Sequence, residues 1–390
     1  MMSPHSPQSD LCRIDIKLSE RPSFTECHLT VSVEIVAGVA AAATEAYRRA
    51  AAILVERRIQ PIQEKAYGRT TVRDQVLQVR ETVYREHGLG GVLPATWLEG
   101  LPLQGCDFVG LQIWGVITAR GESCVETVEN PAGGRGRLWR GPGFRMLHLA
   151  SVTGTNPDGR LAVGHCAQAE RVFTNIGLGL EANGFRYPQV ARTWIYNGRL
   201  LEWYGDLNRI RTAHFRKVGI GGEGGVPFPA STGIQCRSGE EESVVDVLAV
   251  APERAEAITV TPVRCSPRQD QSFNYGSAFS RGMIFGIEGR RTIHISGTAS
   301  INTAGVSTHV GDAECQSLET LMSIAAILEQ HGGTLRNITA ATLFCKDRAS
   351  WEAWRRVNRL LQLPALPIIA VQADVCRDDL LVEMEAVAIV

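Results

Sequence analysis

The strongest constraint on this chain is that part of it occurs twice. Arg145-Met146-Leu147-His148-Leu149-Ala150-Ser151 reappears as Arg291-Thr292-Ile293-His294-Ile295-Ser296-Gly297, an offset of 291 − 145 = 146. Asn156 and Asn302 keep that offset. An amphipathic helix follows in each copy, marked by Ala169, Val172, Phe173, Ile176 and Leu180, then by Cys315, Leu318, Leu321, Met322 and Ala325, at helical spacing. Each helix stops at a glycine, Gly184 and Gly332, the residue that best adopts a left-handed C-terminal cap. A short strand comes next, Arg192 to Tyr196 against Ala341 to Cys345. A second helix then carries Leu207-Asn208-Arg209 in one copy and Val357-Asn358-Arg359 in the other. Each copy closes on a proline-marked strand and a terminal strand: Pro229 to Cys236 then Val244 to Val250, and Pro367 to Val375 then Leu381 to Ile389. One order of features, used twice, predicts two copies of one α+β domain.

The copies differ where chemistry would differ. Aligning Ala249-Val250 with Ala386-Val387 sets Asp246 against Glu383, Leu248 against Glu385, and Arg192 against Ala341. Strand side chains alternate in direction, so Glu383 and Glu385 share one face while Val382, Met384 and Ala386 share the other. Two neighbouring carboxylates backed by an apolar face raise one another's proton affinity. A carboxyl that stays protonated near neutral pH can serve as a general acid. This pair exists only in the second copy, which predicts one asymmetric site; a solvated edge strand is the plain alternative.

Composition narrows the function. The net charge is −1 over 390 residues, without the basic excess of a nucleic-acid or membrane-surface protein. Residues Met1 to Asp10 lack the basic start and apolar core of a signal peptide, and no apolar run approaches the ~20 residues that span a bilayer. The ten cysteines are scattered, with no C-x-x-C pair, a pattern of small buried side chains in a reducing cytoplasm rather than of a zinc site. His148 and His294 are matched strand positions and read as structural. Before the repeat, residues 1–25 read as a loose tail, Leu29 to Ile35 as a strand, and Val39 to Ile59 and Thr71 to Glu86 as helices. Gly-Pro-rich loops are expected at 92–106 and 131–143. The glycine-rich Gly219 to Gly225 lacks the Lys-Ser or Lys-Thr of a P-loop and reads as a connector.

The helix ending Glu181-Ala182-Asn183-Gly184, the strand Arg192-Thr193-Trp194-Ile195-Tyr196 and the terminal Val382-Glu383-Met384-Glu385-Ala386-Val387-Ala388 resemble the YjgF/RidA family. That resemblance implies two tandem YjgF/RidA-like (chorismate-mutase-like) α+β domains, with sites in clefts between units. The family's usual arginine on the penultimate strand would fall near Ile368, so imine hydrolysis is not expected. A more specific resemblance, to the chorismatases, covers roughly residues 60 to 390. It rests on Glu64-Lys65-Ala66-Tyr67-Gly68, Pro94 to Pro102, Arg192 to Tyr196, Pro229 to Ile234, Ser266-Pro267-Arg268-Gln269, Tyr275 to Arg281, and Ala373 to Glu385. Ser266 stands where the family often shows Asn.

Chorismatases convert chorismate into pyruvate and a hydroxylated product, so the resemblance implies a small-molecule substrate and no metal or organic cofactor. It also implies an N-terminal tail and helical extension over 1–104, a first domain over 105–252 and a second, acid-bearing domain over 253–390. Chorismate carries two carboxylates and an enol ether. Arginine forks match carboxylates, which makes Arg192, Arg268 and Arg281 the expected cations, with Tyr275 and Gly282 shaping the pocket. Glu383 is the expected acid and Glu385 the group that helps it hold its proton. Gly282 after Phe279-Ser280-Arg281, and Cys376 seven residues before Glu383, resemble the branch that makes 3-hydroxybenzoate. The alternatives are the branch that hydrolyses chorismate to a dihydroxycyclohexadiene carboxylate, and a non-catalytic RidA-like metabolite binder. A cytoplasmic monomer or homotrimer, touching neither nucleic acid nor membrane, is expected.

Overall fold

Both repeats fold as strand, strand, helix, strand, helix, strand, strand, with one further strand ahead of each. The computed structural model describes residues 11–34, 38–89, 93–118, 121–221, 225–237 and 239–390. Parts of the expected tail at 1–25, strand 29–35, loop 92–106 and connector 219–225 lie outside these.

The N-terminal region comprises β1 (Cys12–Glu20), β2 (Phe24–Val33), α1 (Val39–Glu56), β3 (Gln60–Gly68), α2 (Arg73–Glu86), β4 (Thr96–Glu99), β5 (Leu101–Pro102) and β6 (Phe108–Thr118). The first repeat follows with β7 (Val125–Glu129), β8 (Arg135–Gly141), β9 (Phe144–Thr153), α3 (His165–Ala182), β10 (Val190–Asn197), α4 (Leu200–Lys217), β11 (Ala230–Ile234) and β12 (Ser243–Pro252). The second comprises β13 (Thr259–Val263), β14 (Gly282–Ile287), β15 (Arg290–Ala299), α5 (Ala313–Glu329), β16 (Ile338–Cys345), α6 (Arg348–Leu360), β17 (Ile368–Gln372) and β18 (Val382–Ile389). Gly184 and Gly332 take positive φ just past α3 and α5, as the capping argument requires.

The repeats form sheets in the orders β11-β10-β12-β9-β8-β7 and β13-β14-β15-β18-β16-β17. The N-terminal region contributes more than its two helices. It forms a sheet ordered β1-β2-β6-β3-β4, which matches β8-β9-β12-β10-β11 and β14-β15-β18-β16-β17 strand for strand. Two sequence boundaries move as a result. Cys12 to Glu20 is a strand rather than loose tail, and Phe108–Thr118 closes the N-terminal sheet instead of opening the first repeat at 105. Strand β5 crosses over to pair with β17, Val371 opposite Pro102, and so ties the N-terminal region to the second repeat.

Each sheet has its helices on one face. Along β18, Val382, Met384, Ala386 and Ala388 join the helix-side core with Leu321, Ile324 and Trp354, the larger aliphatic side chains contributing about 1.5–3 kcal/mol each. The other faces of the three sheets share a second core, with Tyr67 and Trp114, Trp194 and Tyr196, and Phe285 and Phe344. Period-two alternation therefore sends Glu383 and Glu385 toward the centre where all three sheets meet.

Cross-strand register corrects the repeat alignment. His148 pairs with Leu248 and His294 with Val387, which sets Asp246 against Glu385 and Val244 against Glu383. Arg192 pairs with Leu248 and Ala340 with Val387, so Arg192 matches Ala340 rather than Ala341. On the closing strand the slip is two residues, which leaves every side chain on its own face, so hydrophobic pattern could not choose there. The paired carboxylates remain confined to the second repeat. His28 pairs with Trp114 in the same way, placing Gln112 and Gly110 opposite the two glutamates. No helix among the described residues is long and apolar enough to cross a membrane.

Candidate active site

Glu385 lies where the three sheets converge. Lys65 Nζ on β3 donates to its Oε1 at 3.0 Å and Arg192 Nη2 on β10 to its Oε2 at 2.9 Å. Arg192 also donates to Thr232 Oγ1 at 2.6 Å. The Trp194 ring takes both cations, Lys65 Nζ at 4.5 Å and the Arg192 guanidinium carbon at 4.8 Å from its centroid. Burial alone would raise the proton affinity of Glu385, but Lys65 and Arg192 outweigh it and hold the carboxyl below its usual range. Glu385 is a fixed negative charge.

Glu383 is its opposite. It is 4% exposed, and no hydrogen bond to its carboxyl forms among the described residues. Burial, reinforced by the charge of Glu385 and opposed by Arg192, pushes its pKa up to about 8. It pairs with Ala299 on β15 and Phe344 on β16. Gly297 leaves it room, since a Cβ at that position would collide with Glu383 Oε1. A neutral, weakly held carboxylic acid at pH 7 can give its proton to a substrate.

The charge of Glu383 acts on Cys376, Cys376 on Tyr275, and Tyr275 is hydrogen-bonded to Arg281. Burial, with Glu383 adding, pushes the Cys376 thiol up to about 12, so it is a neutral packing and positioning group rather than a nucleophile. Arg281 is buried, donates from Nε and Nη2 to the Asp270 carbonyl (3.0 and 2.9 Å) and from Nη2 to the Tyr275 hydroxyl at 2.6 Å. No carboxylate pairs with it among the described residues. Tyr275 is flanked by two guanidiniums, Arg281 at 5.4 Å and Arg377 at 5.8 Å from its ring.

Other expected site residues fall elsewhere. Arg268 spends its fork on Glu319 of α5, Nε at 3.0 Å, on a partly exposed surface. Arg192 and Glu385 bind each other, although Arg192 Nε and Nη1 stay buried without partners. Gly282 has a packing reason of its own, because a Cβ there would sit 3.1 Å from the His294 carbonyl. A cavity of about 40 Å³ adjoins the ion cluster, lined by His28, Gln63, Gln112, Trp114 and His294 among others. None of Glu383, Cys376, Tyr275 or Arg281 lines it. Far from the scattered pattern expected of cysteine and histidine, His165, Cys166 and Asp206 bring ligand-type atoms within 4.8 Å of one another.

Sequence reasoning passed over two cations. Lys65 stands in a stretch that carried the resemblance, yet nothing local reveals a partner 320 residues away. Arg211 on α4 is buried beside Tyr204 and Asn208, and the i, i+4, i+7 spacing of these three polar residues was a legible signal.

The family model described as Endoribonuclease L-PSP matches residues 277–390. A 3-aminoacrylate deaminase RutC of Acinetobacter baylyi is 30% identical over 97 residues, covering 25% of this chain and 77% of that protein. A chorismatase crystal structure superposes with a TM-score of 0.58 at 19% identity, covering 84% of this chain and 92% of that one. At that identity the match speaks for the fold. The deaminase identity and the family model mean that this chain belongs to the endoribonuclease L-PSP family, the YjgF/RidA-like proteins.

Proposed function

We propose that the chain is a chorismatase that releases pyruvate from chorismate, with Glu383 as general acid and 3-hydroxybenzoate as the ring product. The observation that carries this reading is a buried carboxyl pushed up to about 8, linked through Cys376 and Tyr275 to a buried arginine that pairs with no carboxylate among the described residues. Protonating the methylene carbon of the enol ether makes its other carbon cationic, and an oxygen nucleophile then adds there. If that oxygen comes from the ring, collapse gives pyruvate and 3-hydroxybenzoate with no water consumed. If it comes from water, pyruvate leaves with the dihydroxycyclohexadiene carboxylate. Arg281 supplies a carboxylate anchor, and the fixed charge of Glu385 keeps the proton on Glu383 until substrate takes it. The similarity of fold to a chorismatase supports the same reading.

Incubating the purified protein with chorismate and following pyruvate tests this directly. Turnover well above the spontaneous rate is expected; pyruvate at the spontaneous rate would leave a RidA-like metabolite binder. The protonated form of Glu383 is the active one, so kcat/KM should be level below about pH 8. Above it the rate should fall about tenfold per pH unit, the slope of one titrating acid. A rate that rises through pH 8 would assign Glu383 as a base.

Cys376→Ala tests product choice. It leaves the acid in place, so pyruvate release should persist within about threefold. Branching of one intermediate needs little, since about 1.4 kcal/mol is tenfold, and the ring product should move toward the diol. An unchanged product ratio by chromatography would reduce Cys376 to packing.

A further inference from the structure

We propose that Arg211, on helix α4 of the first repeat, is the second anion-binding cation of this site, so that Arg211 and Arg281 grip the two carboxylates of one ligand. This rests on the reading above that the ligand is a small cyclic dicarboxylate.

Arg211 is 3% exposed. Among the described residues its side chain makes one hydrogen bond, from Nη2 to Asn208 Oδ1 at 2.6 Å, while Nε is buried without a partner there. Burying a guanidinium without a counter-charge is strongly unfavourable, and half of the described buried arginines escape it. Arg21 pairs with Glu26, Arg80 with Glu64 and Arg192 with Glu385. Among the described buried arginines, three lack a carboxylate. Arg137 is satisfied by the Pro61 carbonyl at 2.9 Å and the Thr127 hydroxyl at 2.7 Å. The other two are Arg281 and Arg211, and both meet Tyr275, Arg281 by a hydrogen bond to its hydroxyl and Arg211 through its charge.

Helix geometry aligns Tyr204, Asn208 and Arg211 on one face. At one end of that face, the Tyr204 hydroxyl lies 3.5 Å from Ser277 Oγ, in the segment between Tyr275 and Arg281. Tyr204 and Cys376 pack against the same core. The groups that act on the Arg211 charge are Tyr204, Cys376 and Tyr275, and of these Cys376 also feels the charge of Glu383. Arg281 enters from the second repeat and Arg211 from the first. A ligand with one carboxylate can neutralise only one of them. A ring bearing two carboxylates neutralises both and holds its enol ether between them, beside Glu383.

Calorimetric titration with three stable ligands tests this. They are 3-(1-carboxyvinyloxy)benzoate, with both carboxylates; 2-phenoxyacrylate, with the side-chain one; and 3-(vinyloxy)benzoate, with the ring one. Arg211→Gln should weaken the dicarboxylate by at least about 30-fold, the low end for truncating a buried charge pair. It should weaken one monocarboxylate comparably and leave the other within about twofold, with Arg281→Gln showing the reverse preference. Arg211→Lys should restore part of the loss. Equal loss for all three ligands would mark Arg211 as structural and overturn the proposal, as would unchanged binding. No binding of the dicarboxylate by the parent would also overturn it. Arg211-dependent binding without pyruvate release sustains the paired cations while removing the enzyme reading. Pyruvate release with a KM unmoved in Arg211→Gln does the opposite.

Discussion

Glu383→Gln is expected to lower turnover of chorismate by about 10²- to 10⁴-fold, the contribution of a positioned general acid, and to make the protein more stable at the same time. The substitution keeps shape and removes the transferable proton, so ligand affinity should change little. The stability gain follows from linkage. The folded pKa, about 8, lies above the ordinary value of 4.5, so between these pH values the folded state holds a proton that the unfolded state has released. Folding stability then falls as pH rises, by about 1.4 kcal/mol per pH unit for one such group. A glutamine is neutral in both states and escapes this loss. Melting curves of parent and variant should therefore nearly coincide near pH 4.5 and separate toward pH 8, the variant melting higher. A variant that keeps half of the parent's activity would move the acid elsewhere. Melting curves with a constant offset would mean that Glu383 does not carry the shifted proton.

Glu385→Gln should act in the other direction on stability and impair the acid by a different route. It removes the negative charge that helps Glu383 keep its proton, and it leaves Lys65 and Arg192 facing an amide. The alkaline limb of the rate profile should then move below pH 8, because two uncompensated cations favour ionised Glu383. Breaking one side of a buried ion cluster costs about 3–5 kcal/mol, so the melting temperature should drop clearly. Neutralising the pair of charges together, in Lys65→Met with Glu385→Gln, should recover part of the stability but not the position of the limb. A limb unmoved in Glu385→Gln would show that burial alone tunes Glu383.

How much of this was legible depends on the distance between the residues concerned. The duplication, both helix ends and the orientation of Glu383 and Glu385 follow from local periodicity, because alternation in a strand is geometric. The N-terminal sheet was legible too. Cys12, Ile14, Ile16 and Leu18 alternate with Arg13, Asp15, Lys17 and Ser19, a strand pattern that its place near the terminus disguised. The repeat register was underdetermined, since a slip of two residues preserves every face. The ion cluster lay beyond reach for a different reason. Whether Arg192 meets substrate or Glu385, and whether Arg268 meets substrate or Glu319, depends on how three sheets and their helices approach one another. No spacing along the chain encodes that approach.

The three matched sheets belong to a single chain, and that has a consequence for how its centre could arise. Gln112, Asp246 and Glu385 occupy equivalent places, as do Lys65, Trp194 and Thr342, and Gly110, Val244 and Glu383. Three identical subunits would have to repeat each choice around the centre: three lysines crowded together, or three glutamates. Joined in one polypeptide, each position mutates alone. One lysine, one arginine and one glutamate can then settle into a neutralising arrangement, and a carboxyl can stand at one of three equivalent places and be left protonated.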